Sequence, residues 1–539
     1  MKILFISINV TNTTVQEELG ISYIAAFLRM HRYECEVYCF VGDAIDYNQI
    51  ILFGADIIGF PMYHRTAKKV LEVIDKIKKE VPSTYILLGG YTPTYYYEEL
   101  MSTNANIDFV IRGEGELPTL ELVNELTKDI PLLNNVSSLI YKENGLLVVN
   151  PEREHIEDLD ELPFPDRSIL QRYNLRTANI SSSRGCLRNC SFCVSHNYWK
   201  SRNGITWRGR SAKNFVDEIC YLINTYKISR FSVVDASYED SYTENFQRLQ
   251  EFCDEIKMRN INITYFINFR SEIIKHIPVA LVNSLIETGL TGVFLGVEAF
   301  NNHDLKVLGK SATADDNVQA IKFFKQYPIQ LDVGIINFNP YSTFDSLKEN
   351  AKYISLFKYA SYFTLNNQVR IYKGSNLYNR VYKDGLLKSD VDLFDECNYY
   401  YENSAICDLV DSINKYFTNI NQKYDFSEFI RFFATDFLNL LIHYKKHFIN
   451  QKEKEYELTV NVEKEVIEIL TEMNRINTEW FMSLLDEARN RGSKNIYQEI
   501  LTENLSDAFI KQIIQNLTSI KNNYTRQLLK LDRSNAIII

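Results

Sequence analysis

The chain opens with short unbroken apolar runs set between longer segments in which apolar positions recur every three to four residues. "KILFISI" at 2–8, "CEVYCFV" at 35–41, "DIIGF" at 56–60, "YILLGG" at 85–90 and "IDFVIRG" at 107–113 have strand length and no polar alternation. That is the pattern of a sheet covered on both faces. The intervening "ISYIAAFLRMH", "RTAKKVLEVIDKIKKE" and "LPTLELVNELTK" carry the helical period. Together they predict an α/β fold that begins, over residues 1–135, with a five-stranded, doubly wound, Rossmann-like domain. Its ligand is expected where the C-terminal ends of the strands meet the loops "NVTNTT", "PMYHR" and "GGYTPT".

The pattern then breaks. Residues 136–176 read as a connector, a hairpin followed by an acidic, proline-punctuated stretch that ends regular structure. A second alternation fills 177–385, with strands expected in "TANISSS", "RFSVVD" at 230–235, "ITYFINF" at 263–269, "GVFLGVE" at 292–298, "QLDVGII" at 330–336 and "YFTLNNQVRI" at 362–371. Six β/α units predict a partial barrel with its chemistry on the C-terminal rim. From 386 to 539 strand signals fade into long helical stretches such as "VEKEVIEILTEMNRINTEWFMSLLDEA", a helical C-terminal domain.

Composition narrows the partners. The formal charge of −10 argues against a sequence-independent grip on nucleic acid, which needs an excess of Lys and Arg. The N-terminus lacks the parts of a secretory signal, and no apolar window reaches the length of a membrane span. A cytoplasmic protein is therefore expected, without nucleic-acid or membrane partners. In such a reducing compartment, clustered thiols bind metal or do chemistry more often than they form disulfides.

One such cluster exists. "SSSRGCLRNCSFC" at 181–193 places Cys186, Cys190 and Cys193 on one short turn after the first barrel strand. A structural zinc usually takes four protein ligands from two separated pairs, and no second Cys or His pair lies at a suitable spacing. A cubane iron–sulfur cluster also takes four ligands, so three cysteines leave one iron open to a small molecule. A three-cysteine zinc loop in a non-catalytic binding protein remains the alternative.

The turn resembles the CxxxCxxC signature of the radical S-adenosylmethionine (SAM) enzymes, with Phe192 as the aromatic before the last cysteine. "LGISYIAAFLRMHRYECEVY", "FVIRGEGELPTLELV", "EDLDELPFPDR" and "VRIYKGSNLYNRVYKDGLL" resemble, in that order, segments of the cobalamin-binding branch of the same family, so the likeness spans about residues 1–390. It implies a 4Fe–4S cluster on the three cysteines, SAM on the open iron, a 5'-deoxyadenosyl radical and cobalamin as methyl carrier. It implies an external electron donor such as flavodoxin or ferredoxin. The implied reaction is methylation of an unactivated carbon in a natural-product or peptide substrate. The alternative within the family is rearrangement, cyclisation or oxidation with cobalamin silent or absent.

By the same resemblance Phe192, Asp235, Arg270 and Glu298 are candidates to contact SAM. Glu298 lies in "LTGVFLGVEAFNNHDLKVLGKSATADD", which is similar to a family segment around a Gly-x-Glu-Ser motif. For cobalamin the candidates are Tyr63, His64, Gly89, Gly90, Tyr91 and Glu114, on the ligand-side loops of the first domain, with His64 a disfavoured candidate for a cobalt ligand. Two departures stand out: residues 1–130 contain no D-x-H-x-x-G motif, and "IINFNPYSTFDSL" replaces a Gly-Pro-Gly turn. His443 and His447, four apart on an expected helix, read as a solvated face, and Cys397 with Cys407 as two thiols too few for a second cluster.

Overall fold

The computed structural model describes the chain except residues 11–14, 201–202, 240–245, 390–391, 396–397, 425–428, 431–432, 434–436, 449–451, 491–493 and 532–539. The five expected N-terminal strands form as β1 (Lys2–Asn9), β2 (Glu34–Val41), β3 (Ile57–Pro61), β4 (Tyr85–Gly89) and β5 (Phe109–Ile111). They pair in parallel in the order β2-β1-β3-β4-β5. The connector hairpin, β6 (Leu139–Glu143) and β7 (Leu146–Val149), adds two antiparallel strands to the β5 edge. Helices Leu19–Met30 and Glu116–Leu126 cover one face, Ala67–Glu80 and Tyr91–Thr103 the other. The apolar runs have the predicted cause, since Ile3 to Ile6 are all buried.

The second sheet is parallel in the order β14-β13-β12-β11-β8, with β8 (Ala178–Ile180), β11 (Arg230–Val233), β12 (Thr264–Arg270), β13 (Leu290–Glu298) and β14 (Gln330–Ile335). A separate antiparallel pair, β9 (Ser183–Gly185) and β10 (Trp207–Gly209), follows β8 in the chain and carries the cysteine loop. The sixth expected strand is different. Tyr362–Leu365 form one helical turn capped by Ser361, whose hydroxyl accepts from Thr364 N–H at 3.1 Å. The chain beyond it meets the sheet through a single parallel bridge, Phe338 with Gln368. Asn367 explains this: its C=O accepts from Asn337 and Phe338 N–H at 2.9 Å each, and its side chain donates to Ile335 C=O, so local polar groups take the place of a ladder.

The C-terminal part is helical, with Glu453–Arg489 as its longest element. That helix locks onto the barrel at Ala360, whose N–H donates to Asn474 Oδ1 (2.7 Å) and whose C=O accepts from Asn477 Nδ2 (2.9 Å), while Trp480, Phe481 and Leu484 join the barrel core. His443 and His447 fall in helix Leu438–Phe448, but their side chains lie outside the described residues, as does Cys397; Cys407 is half-buried and free. No helix among the described residues is long and apolar enough to cross a membrane.

Candidate functional site

The cysteine loop is held by backbone on every side. Gly185 adopts φ +93°, and a Cβ there would come 2.0 Å from Thr206 C=O, so only glycine fits before the first cysteine. Cys186 N–H then donates to that same carbonyl at 3.0 Å. Ser191, between the second and third cysteines, donates its N–H to Leu308 C=O (2.8 Å) and its hydroxyl to Val307 C=O (2.7 Å), and its C=O accepts from Leu377 N–H (2.6 Å). Phe192 packs its ring against the barrel core. The loop geometry thus comes from three distant stretches of chain.

All three thiols are free and half-buried. Burial pushes Cys190 up to about 12, against the pull of Lys310, and the neighbouring Cys193 and Cys186 add to the rise. Crowded sulfurs that repel one another as thiolates suit a cationic partner. A cubane gives each of three thiolates its own iron and leaves the fourth open, so a loop offering three thiols fits a 4Fe–4S cluster.

The candidates on the barrel rim separate. Asp235 does not line the cavity described below. Its carboxylate is taken up by the serines ahead of the cysteines, accepting from Ser181 Oγ (3.1 Å), Ser182 N–H (2.8 Å) and Ser183 Oγ (2.8 Å). Arg270 is buried and paired with Glu239, and lies 3.6 Å from Glu272. Both thus carry scaffold bonds. Glu298, which like Asp235 does not line that cavity, ends β13 in the left-handed region, φ +68°, with Lys310 Nζ at 3.6 Å from its carboxylate. Burial raises its pKa, and Lys310 opposes the rise.

The two domains face each other across a cavity of about 310 Å³. The ends of β3, β4 and β5 form one wall and Ser181, Ser183, Gly185, Val234 and Ala236 the other. Gly89, Gly90, Tyr63, Tyr91 and Glu114 all line it. Tyr63 donates its hydroxyl to Glu18 at 2.6 Å. Tyr91 accepts from Trp199 Nε1 at 3.1 Å and packs on the Tyr198 ring at 4.2 Å, and its hydroxyl is pushed up to about 12, first by burial and also by the nearby Cys193 and Cys186. A second cavity of about 400 Å³ adjoins at Glu18, Tyr63 and Tyr91, and a third of about 380 Å³ at Gly113, Glu114 and Tyr198. His64 lines the second, buried among the rings of Tyr96, Tyr372 and Phe394. This apolar, aromatic, multi-lobed space suits a large flat cofactor better than a small polar one.

Glu114 also bonds the domains. It accepts from Arg184 (2.6 Å) and Arg208 (3.0 Å), and Arg184 reaches Glu116 as well (2.6 Å). Burial would raise its pKa, but the two guanidinium groups override this and hold it down at about 2. A second buried web joins Glu17, Arg167, Glu218 and Arg210 across the first domain, the connector and the barrel. Arg184, Arg208, Trp199 and Lys310 went unread in the sequence, although Arg184 precedes the glycine of the signature and Lys310 closes the "LGK" of the Glu298 segment.

Comparison with known proteins agrees with this architecture. Residues 8–123 match the B12 binding domain family. An uncharacterized methyltransferase of Pyrococcus horikoshii is 27% identical over 324 residues, 58% of this chain and 68% of that protein. The anaerobic magnesium-protoporphyrin IX monomethyl ester cyclase of Rubrivivax gelatinosus is 29% identical over 320 residues, 57% of this chain and 55% of that protein. The chain thus matches little more than half of the cyclase. In fold it is similar to the cobalamin-dependent S-adenosylmethionine radical enzyme OxsB, solved with aqua-cobalamin and S-adenosylmethionine bound, with a TM-score of 0.68, 18% identity and coverage of 99% of this chain and 81% of that one. The resemblance read from the sequence is borne out, and the likeness in fold extends to the C-terminal helices.

Proposed function

We propose that this chain is a cobalamin-dependent radical SAM enzyme that methylates an unactivated carbon of a small-molecule or peptide substrate. The observation that carries this is one cavity shared by the strand ends of a B12-type domain and of a barrel, with Tyr91 lining it and sitting beside Cys193 and Cys186. Cys186, Cys190 and Cys193 are the residues to hold a 4Fe–4S cluster, leaving one iron to SAM, with Glu298, a buried carboxylate paired with Lys310, the candidate to take the amino group of SAM. When bound, the cluster supplies the electron that cleaves SAM, and cobalamin supplies the methyl group.

The chain's own part is to bind, orient and exclude water. Tyr63, Tyr91, Tyr198 and Trp199 offer an aromatic surface for a corrin beside Gly89 and Gly90, which line the same cavity. Arg184 and Arg208 clamp Glu114 and so fix the spacing of the two walls. The reducing electron comes from an external donor such as a flavodoxin or ferredoxin. A second reading, radical cyclisation, oxidation or rearrangement, is favoured by the likeness to a cyclase.

Anaerobic reconstitution tests the proposal. The expected result is about four irons and four sulfides per chain, cobalamin retained through gel filtration with a changed visible spectrum, and 5'-deoxyadenosine from SAM. Zinc in place of iron overturns it. Methyl-deuterated SAM separates the two readings: a product carrying the labelled methyl supports transfer, and an unlabelled rearranged or oxidised product supports the second.

A further inference from the structure

The turn after β13 brings together two buried charges and the cysteine loop. Glu298 sits one step past a register shift against β14 at Gly296, and Ala299 N–H closes back onto Val297 C=O at 2.9 Å. A glutamate held at positive φ is disfavoured and persists where surrounding contacts over-determine it, as they do at functional sites. Lys310 comes back to meet it. Its side chain is 5% exposed, its Nζ donates to Gly296 C=O at 3.0 Å, and Glu298 is its ion-pair partner.

The same turn is fastened to the metal-binding loop. Leu308 and Val307 accept both hydrogen bonds of Ser191. Gly309, at φ +66°, lies so close that a Cβ would stand 2.8 Å from Ser191 N. Lys310 is therefore the next residue after a backbone contact that fixes its distance from Cys190 and Cys193. Other ion pairs lie in this layer, Arg270 with Glu239 and Arg188 with Glu272 at 3.2 Å, and Glu272 also feels the charge of Lys310. Lys310 pairs with Glu298 one residue on from the contact that Gly309 makes with Ser191, so the ion pair is tied to the cysteine loop through the backbone.

We infer that Lys310 is a positioning residue with two effects: it holds Glu298 as an acceptor for the amino group of SAM, and it raises the reduction potential of a cluster bound by Cys186, Cys190 and Cys193. The inference rests on the cluster and SAM assignment proposed above. One-electron reduction adds negative charge to a cluster, and a cation fixed in a low-dielectric wall stabilises the reduced form. Glu298 without its partner would be a buried carboxylate driven to protonate, and a protonated acid no longer offers a charged acceptor.

The test uses the full chain, reconstituted anaerobically, as wild type and as Lys310→Gln, Lys310→Arg, Glu298→Gln and the double variant Lys310→Gln/Glu298→Gln. Iron and sulfide content and the EPR-monitored midpoint potential without SAM are read first, then SAM affinity from the change in the EPR signal. All proteins are expected to hold the cluster. Lys310→Gln shifts the potential to more negative values at alkaline pH, where Glu298 is ionised, and back towards wild type as the pH falls and Glu298 protonates; Glu298→Gln shifts it to more positive values, and the double variant and Lys310→Arg return close to wild type. SAM binding weakens about tenfold in Lys310→Gln and recovers in Lys310→Arg. If Lys310→Gln does not fold, the double variant, which leaves no unpaired charge, is expected to keep the wild-type potential and lose about tenfold in SAM affinity. A cluster-loaded Lys310→Gln with unchanged potential and SAM affinity, or a double variant with unchanged affinity in that second case, overturns the role of Lys310 alone. Wild-type protein that takes up no cluster overturns it together with the reading it rests on.

Discussion

The first sheet and the second are built from the same alternation of strand and helix, and they treat their inner faces differently. In the first, Ile3, Phe5, Ile57 and Leu87 on one face and Leu4, Ile6, Ile58 and Leu88 on the other are all buried under helices. Only its strand ends are left for a ligand. In the second, Val234 and Phe294 are 44% and 39% exposed although they belong to the sheet's inner side. Glycines account for much of this. Phe266 and Phe294 lie over Gly292 and Gly334, where an added Cβ would come within 2.6 Å of each ring, and the sheet stops at β8 and β14 instead of closing. A closed barrel fills its interior with layers of side chains; this one stays open, and Val234 and Phe294 reach solvent. One sheet is thus a platform with a site at its edge, and the other is a container.

Several changes would break or sharpen that contrast. The largest effect is expected at the container's rim: Cys186→Ala, Cys190→Ala or Cys193→Ala should abolish SAM cleavage while leaving cobalamin binding to the first domain intact, as measured by 5'-deoxyadenosine formation and by the visible spectrum. Retained cleavage in any one would refute the ligand assignment.

Next comes the seam between the two. Arg167 is wholly buried and answers Glu17 of the first domain and Glu218 of the barrel. Arg167→Ala strands two carboxylates and is expected to cost about 3–5 kcal/mol in chemical denaturation. The paired substitution Arg167→Met with Glu218→Leu should recover part of that loss, since it removes opposite charges together.

The sheets themselves can be compared by one truncation in each. Phe60→Ala empties a site that is 2% exposed, with an expected loss of about 3–5 kcal/mol. Phe294→Ala should cost about 1 kcal/mol or less, because its ring already meets solvent. Equal losses would mean that the open side of the barrel is packed in solution.

The smallest effect is electrostatic. An unfolded Glu114 titrates near its ordinary 4.5, and the folded one at about 2. Between these values the unfolded state binds more protons, so the stabilisation from Glu114 is complete above about pH 5 and is lost as the pH falls towards 2. Glu114→Gln should flatten the acid limb of the unfolding midpoint against pH; an unchanged limb would show that Arg184 and Arg208 do not act through this carboxylate.

The sequence alone determined the local alternation, and with it both sheets, because a strand covered on both faces must be apolar throughout and a helix on a sheet must be amphipathic. It also determined the three thiols, whose spacing is a property of one loop. Where it erred locally, at 362–371, the apolar residues suggested a strand, but Ser361 and Asn367 satisfied backbone groups by themselves and the ladder did not form. Tertiary structure alone decided which polar residues were spent on the scaffold. Asp235 follows β11, and Arg270 ends β12 as Glu298 ends β13, yet the serine turn bonds the first, Glu239 the second and Lys310 the third. Glu114 looks from the sequence like a loop residue awaiting a ligand, and only the arrival of Arg184 and Arg208, 70 and 94 positions away, makes it a clamp between domains. The physical reason is range: hydrophobic period and loop spacing are written within a dozen residues, whereas the partner of a buried charge is fixed by whatever the completed fold brings beside it.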